Sequence, residues 1–154
     1  MKIAIGSDEK RFITDYVLGE LKKRGHEVEL FGSLVTGQPT SWPTVGQQVA
    51  ETVADRRADE GILFCWTGTG VAIAANKVPG IRAALCFDAE TAKGARLWDH
   101  ANILVMSLRS TSDVVAKEIL DAWFSTSYAE SERETVKLIS EIERKYLPAR
   151  EMEA

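Results

Sequence analysis

The alternation of short apolar segments with amphipathic ones constrains this chain more than any other feature. Five apolar segments predict strands at residues 1–5, 28–31, 61–65, 81–86 and 102–107. Strands that are apolar throughout are typical of a parallel sheet covered by helices on both faces. The sequence therefore predicts an α/β protein, with a three-layer Rossmann-like fold around a five-stranded parallel sheet.

Helical periodicity fills the intervals between these strands. The predicted helices cover about 12–24, a stretch that begins near Pro43, and residues 71–77, 89–97 and 111–124. Gly25 ends the first helix in the manner of a left-handed cap. Residues 32–43 are rich in Gly, Ser, Thr and Pro, so they are predicted to form a loop.

An extra C-terminal helix at about 131–147 follows after the sheet is complete. Ser131 and Glu134 form a capping-box pattern at its start. One stripe of this helix is formed by Val136, Ile139, Ile142 and Tyr146. That stripe packs either on its own domain or on a second subunit. Residues 1–147 are thus expected to form one domain, followed by a polar tail at 148–154.

Composition argues against several classes of protein. The chain has 19 Lys and Arg against 23 Asp and Glu, a net charge of −4, which disfavours a globally basic nucleic-acid binder. No apolar run reaches the ~18–20 residues of a membrane span, and the first residues lack the pattern of a secretory signal. The expected compartment is the cytoplasm, where Cys65 and Cys86 stay free thiols. Without a CxxC, a Cys/His cluster or an HExxH, a structural zinc site is not expected.

The segment after the third predicted strand is the first candidate for chemistry, because open parallel sheets bind ligands at the carboxyl ends of their strands. It reads Cys65-Trp66-Thr67-Gly68-Thr69-Gly70. Two glycines before a helix N-terminus suit an anion, either a phosphate or an enediolate oxygen. The segment matches neither the P-loop nor GxGxxG, so a merely structural turn is the alternative.

Single residues near the strand ends add further candidates. Cys65, beside a helix N-terminus, can act as a base or nucleophile; the alternative is a small buried hydrophobic residue, which suits Cys86 better. Asp8 can bind ligand hydroxyls or cap the first helix, and Arg109 can hold a phosphate or be an exposed loop residue. His100 can act as an acid or base, or form an ordinary hydrogen bond.

Four segments carry a family resemblance: residues 3–8, 61–70, 73–77 and 80–86. They resemble the type B ribose-5-phosphate isomerase family, which also contains the galactose-6-phosphate isomerase subunits. The resemblance extends from residue 1 to about 128. It implies an aldose–ketose isomerisation through an enediolate, without a metal or cofactor. It also implies a small-molecule sugar phosphate as substrate, and dimers or dimers of dimers whose sites are built from two chains.

The resemblance also implies roles for individual residues. Cys65 matches the family's base, which removes the proton next to the carbonyl. Asp8 matches a ligand of substrate hydroxyls, and Arg109 matches a ligand of the phosphate. The loop that stabilises the enediolate oxygen is matched by Thr67, Gly68, Thr69 and Gly70.

Several positions depart from the family's pattern around the phosphate and the pocket wall. Glu9 replaces a histidine that helps to hold phosphate, and a carboxylate repels an anion. Trp66 replaces a glycine after the cysteine, and Trp42 replaces the tyrosine of a Tyr-Pro pair. Aromatic side chains at these places can stack on a sugar or fill space around a shorter ligand.

The residues that open the sugar ring and grip the phosphate from a second segment also differ. Trp98 stands where the family has its ring-opening histidine, and an indole cannot transfer that proton. Asp99 and His100 follow, and His100 is a possible substitute. Of the family's later phosphate-binding segment, only Arg133 is nearby.

These departures favour a substrate other than ribose 5-phosphate. A tetrulose phosphate cannot cyclise and needs no ring-opening acid; an unphosphorylated or differently phosphorylated sugar, such as galactose 6-phosphate, is the other route. A non-catalytic sugar-phosphate-binding subunit or sensor is the main alternative to an enzyme. A nucleotide-binding module and a redox role for the cysteines find no matching motif in the sequence.

Overall fold

The computed structural model describes residues 1–146, so the tail predicted at 148–154 lies outside the described residues. Its sheet has five strands, all parallel, in the order β2-β1-β3-β5-β4. They are β1 Lys2–Ser7, β2 Glu27–Gly32, β3 Glu60–Cys65, β4 Ala83–Leu85 and β5 Ile103–Ser107. The predicted α/β fold with a five-stranded parallel sheet is confirmed, although β4 is shorter than the predicted strand at 81–86.

Residues 1–146 contain seven α-helices, of which the first six connect and cover these strands. They are α1 Phe12–Lys23, α2 Ser33–Thr36, α3 Trp42–Ala54, α4 Thr69–Ala75, α5 Ala89–Leu97, α6 Asp113–Ser125 and α7 Arg133–Tyr146. The prediction that 32–43 is entirely loop was wrong, because α2 forms between two glycines of positive φ, Gly32 and Gly37. The Ser33 hydroxyl donates to the Ser7 carbonyl, which holds this short helix against β1.

Two hydrophobic clusters lie on opposite faces of the sheet and make the three layers. On one face, α1, α5 and α6 pack against the sheet around Phe64, Leu104 and the fully buried Trp123. On the other face, α3 and α4 pack around Leu63 and Val105. No helix within residues 1–146 has the length and apolar character needed to cross a bilayer.

The C-terminal helix α7 packs loosely on the rest of its own chain. It begins at Arg133 after a 3₁₀ turn at Glu130–Glu132. The predicted capping box was therefore wrong, since Ser131 lies inside that turn. No residue of α7 is buried, and Ile142 is 60% exposed. Between α7 and the edge strand β4 lies a cleft of about 550 Å³ lined in part by Ile139 and Ile142. The apolar stripe of α7 thus remains largely without a partner in a single chain.

The strand order fixes where a ligand can enter. From β1 the chain moves outward to β2, whereas from β3 it continues on the other side of the sheet. The crevice at the carboxyl ends of β1 and β3 is therefore the point where the direction of winding reverses, which is the usual ligand site of such sheets.

Candidate active site

Cys65 is the last residue of β3 and lies opposite Ser107 of β5. It is a free thiol, 5% exposed, at the carboxyl edge of the sheet. Its carbonyl accepts the Leu108 N–H at 3.0 Å. Because the flanking strands hold it through the sheet register, the position of the Cys65 backbone is set by the core rather than by a loop.

The loop after Cys65 requires a glycine at residue 68. Gly68 has φ +80°, and a Cβ added there would lie 2.5 Å from Leu85 Cδ1 and 3.3 Å from the Met106 backbone. Only glycine combines this backbone conformation with the absence of a side chain. Gly68 turns the chain directly into α4, which begins at Thr69, two residues earlier than the predicted start at residue 71.

Hydroxyl and amide groups of this loop gather at the start of α4. The hydroxyls of Thr67 and Thr69 are 2.7 Å apart and share a hydrogen bond. The first N–H groups of any helix lack partners within that helix, so they are available to an anion. Gly70 lies in this first turn and adds no side chain to obstruct it.

Asp8 follows β1 and carries an unpaired polar atom. Its Oδ1 is shielded from solvent and, among residues 1–146, has no hydrogen-bond partner; the Thr40 Oγ1 is in the same condition. The two residues are adjacent, since the Thr40 N–H donates to the Asp8 carbonyl at 2.9 Å. Buried polar atoms normally have partners, so both are suited to gain one from ligand hydroxyls. Burial, and next the negative charge of Glu9, raises the pKa of Asp8.

Two half-exposed tryptophans wall the same crevice. The ring of Trp42 covers Gly70 so closely that a Cβ there would lie 2.9 Å from Trp42 Cε3. Trp66, next to Cys65, is 49% exposed. The structure thus places both tryptophans at the loop of residues 65–70, Trp42 against Gly70 and Trp66 within the loop.

Glu9 is not an isolated negative charge. Its Oε2 accepts hydrogen bonds from Nε of Arg11, at 2.9 Å, and from Nη2. The Arg11 guanidinium also lies over the Trp66 ring, 5.4 Å from its centroid. Sequence reasoning predicted repulsion of phosphate by Glu9 and overlooked Arg11; the only available signal was the i, i+2 spacing of opposite charges.

Arg109 lies at the same carboxyl edge. Its backbone N–H contacts the Trp66 carbonyl at 3.0 Å and the Ser107 hydroxyl at 3.2 Å. Asp8, Glu9, Trp42, residues 65–70 and Arg109 are therefore gathered at one end of the sheet. Thr40, which lies in the segment predicted only to form a loop, belongs with them.

The remaining predicted residues lie at the opposite end of the sheet. Helix α5 runs back along the sheet, so Trp98 and Asp99 precede the amino end of β5. The His100 Nε2 is 2.9 Å from the Ala129 carbonyl, and its ring stacks on Tyr128 with centroids 4.6 Å apart.

Arg133 is the first residue of α7 and follows shortly after Ala129, whose carbonyl contacts His100. It forms an ion pair with Glu130 at 2.8 Å. Together with Trp98, Asp99 and His100, it forms a set that one chain does not bring together with Cys65.

Comparison with known proteins identifies the family of this chain. Residues 3–141 match the family described as Ribose/Galactose Isomerase. The chain belongs to that family. It is 37% identical over 146 residues to ribose-5-phosphate isomerase B of Escherichia coli, covering 94% of this chain and 97% of that protein. It is also 37% identical over 133 residues to a D-erythrulose-4-phosphate isomerase of Pectobacterium atrosepticum, covering 83% and 85%.

Solved structures of the family have the same fold. The ribose-5-phosphate isomerase B of Clostridium thermocellum superposes with a TM-score of 0.88 at 39% identity, covering 96% of this chain and all of that one. Family membership makes the chain an isomerase. Within the part of the chain that the structure describes, no three His, Cys, Asp or Glu side chains are grouped so as to hold a metal ion.

Proposed function

We propose that this isomerase moves the carbonyl of a small sugar phosphate between C1 and C2 through an enediolate, with Cys65 as the base. The observation that carries the proposal is the position of Cys65, at the end of β3 and next to the glycine loop that enters α4. The Cys65 thiolate takes the proton from the carbon next to the carbonyl, and the thiol returns it to the neighbouring carbon.

The loop supplies the rest of the chemistry in this proposal. Negative charge develops on the carbonyl oxygen as the proton leaves carbon, and the N–H groups at the start of α4 stabilise it. The hydroxyls of Thr67 and Thr69, 2.7 Å apart, are suited to transfer the proton that moves between the two oxygens. Asp8 and Thr40 bind the remaining hydroxyls, and Arg109 binds the phosphate. A free thiol at Cys65 suits a reducing compartment such as the cytoplasm.

A tetrulose phosphate is the substrate that the site supports best. Trp42 covers Gly70 and Trp66 follows Cys65, so bulky rings stand close to the proposed base, and Trp98 offers no ring-opening proton. A four-carbon sugar phosphorylated on its last oxygen does not close a ring, so it needs no such proton. The chain is 37% identical both to a D-erythrulose-4-phosphate isomerase and to a ribose-5-phosphate isomerase B, so the choice rests on the residues named here. Ribose 5-phosphate, galactose 6-phosphate and unphosphorylated sugars are the competing substrates.

The experiment is a C–H exchange assay in D₂O, followed by NMR, with sugars of four to six carbons with and without phosphate. We expect deuterium to enter at the carbon next to the carbonyl of erythrulose 4-phosphate. The specificity constant kcat/KM is expected to exceed that for ribose 5-phosphate by about tenfold or more, because a poorly fitting pocket costs on that order. Turnover of ribose 5-phosphate at an equal or higher kcat/KM would contradict the substrate assignment. Exchange with no sugar would favour a binding subunit or sensor.

We further propose that the working unit is a homodimer, alone or within a dimer of dimers. A second copy would bring its Trp98, Asp99, His100 and Arg133 to the carboxyl edge of the first, which one chain cannot do. The exposed stripe of α7 offers an apolar contact for that copy.

The stripe of α7 provides the test of this assembly. Ile142→Asp is expected to weaken self-association by about 100-fold or more, since a charge in an apolar contact costs several kcal/mol. Analytical ultracentrifugation would show a dimer for the wild type and a monomer for the variant, and C–H exchange should fall with it. Arg144→Asp, on the opposite face of α7, is the control and should remain dimeric. A monomeric wild type that is fully active would contradict the proposal.

A further inference from the structure

The Arg11 side chain is fixed on two sides at the mouth of the crevice. Glu9 Oε2 holds the edge formed by Nε and Nη2. The guanidinium carbon lies 5.4 Å from the centroid of the Trp66 ring. A guanidinium carries five N–H donors, and Nη1 has no acceptor among residues 1–146. Arg11 therefore presents a free edge of donors whose orientation is already set.

The free edge of Arg11 lies close to the candidate active site. Arg11 is the residue before α1, in the connection that leaves the carboxyl end of β1. Trp66, whose ring lies under the Arg11 guanidinium, directly follows Cys65. The Trp66 carbonyl in turn accepts the backbone N–H of Arg109. Two arginines thus flank Trp66, one through its ring and one through its backbone, beside the loop of residues 65–70.

An ordinary surface ion pair is the competing explanation, and such pairs contribute little to stability. The chain offers one for comparison: Arg57 and Asp55 have the same i, i+2 spacing, with Nη2 and Oδ2 3.4 Å apart, and both pairs are exposed. That pair has a single contact and no aromatic support. Arg11 differs in its two-donor contact with Glu9, its position over the Trp66 ring and its place beside the candidate site, where an anion can use a preorganised guanidinium.

We propose that Arg11 is a specificity-determining residue that binds the phosphate group of the substrate through its free edge. Glu9 and Trp66 hold it in place. Glu9 then acts on the arginine rather than directly on the ligand, which explains how a carboxylate is tolerated at a phosphate site. This inference rests on the proposed function for the identity of the ligand, although inorganic phosphate tests it separately.

The first measurement is a titration with inorganic phosphate followed by the indole N–H signals of ¹⁵N-labelled protein, with Trp66 assigned through Trp66→Phe. In the wild type we expect the Trp66 signal to move with phosphate concentration. In Arg11→Met the dissociation constant should rise about 10- to 100-fold, the loss expected for hydrogen bonds to a charged group. Arg11→Lys, which keeps the charge without the fork, should fall between the two. The matched control Arg57→Met should behave as the wild type.

The second measurement is steady-state kinetics with the best phosphorylated sugar. Arg11→Met should raise KM about 10- to 100-fold and change kcat little, because phosphate binding is used equally before and during the reaction. Equal phosphate affinity in Arg11→Met and the wild type, or no response of Trp66 to phosphate, would overturn the role of Arg11. Absence of C–H exchange in the wild type, with phosphate binding intact and sensitive to Arg11, would overturn only the proposed function.

Discussion

Replacing Cys65 with alanine is expected to lower the rate of C–H exchange by about 10²–10⁴-fold, the usual contribution of a positioned general base. The substrate dissociation constant should change little, because the thiol acts on a proton and holds no charged part of the ligand. The fold should persist, since Cys65 is small and lies at the end of a strand whose neighbours fix it. Exchange measured by NMR in D₂O, together with a titration of bound substrate, checks both statements.

The second cysteine supplies a matched control for this experiment. Cys86 is fully buried, and burial raises its pKa to about 12, so its thiolate is not available near neutral pH. Cys86→Ala should therefore retain exchange, even if it loses some stability. Full activity in Cys65→Ala, or loss of activity only in Cys86→Ala, would exclude Cys65 as the base. Binding of a sugar phosphate by the wild type, without any C–H exchange, would support the sensor alternative.

The sequence was most informative about the fold where local pattern and burial agree. Helix α5 has the predicted bounds 89–97, because Asp88 accepts the Thr91 N–H and starts it sharply. The strands were placed to within one or two residues, since continuous apolar runs are needed in a sheet that is buried on both faces. Helix α2 was not predicted, because the hydrogen bond that holds it, from the Ser33 hydroxyl to the Ser7 carbonyl of β1, is a long-range contact that local sequence patterns do not indicate.

The candidate site divided in the same way. The glycine loop and Cys65 were predicted because the residues that carry their chemistry are consecutive in the sequence. Arg11 and Thr40 were missed, since their roles depend on contacts with Trp66 and Asp8, which belong to other segments.

The separation of His100 from Cys65 follows from topology. His100, just before β5, lies at the amino end of the parallel sheet, whereas Cys65 ends β3 at the carboxyl end. The predicted strands were therefore enough to predict this separation.

A buried ion pair between Glu60, the first residue of β3, and Arg96 of α5 supports the turn that carries Trp98 and His100. The Glu60 carboxylate bonds Nη2 of Arg96 at 2.7 Å and Nε1 of Trp123 at 2.7 Å. The Arg96 guanidinium lies 4.8 Å from the Trp123 ring centroid and also donates to the Ala101 carbonyl at 2.7 Å. This network joins β3, α5 and α6 to the residues that precede β5.

Breaking this pair from one side is expected to have the largest effect on stability. Arg96→Met should lower the free energy of unfolding by about 3–5 kcal/mol, because it leaves the Glu60 carboxylate buried without a counter-charge. Urea denaturation followed by circular dichroism measures the change. The exposed pair of Lys117 and Asp121, with Nζ and Oδ2 2.7 Å apart, is the control: Lys117→Met should cost less than about 1 kcal/mol.

A double variant separates the cost of an unpaired charge from the value of the pair. Glu60→Leu combined with Arg96→Met removes both charges and should recover much of the loss, since apolar replacements of a buried pair are often neutral or better. If Arg96→Met alone cost less than about 1 kcal/mol, water would have to reach Glu60 and the pair could not be a structural support. A double variant that is stable yet impaired in C–H exchange would show that the pair also orients the turn at His100. The same double variant with normal exchange would confine the pair to stability.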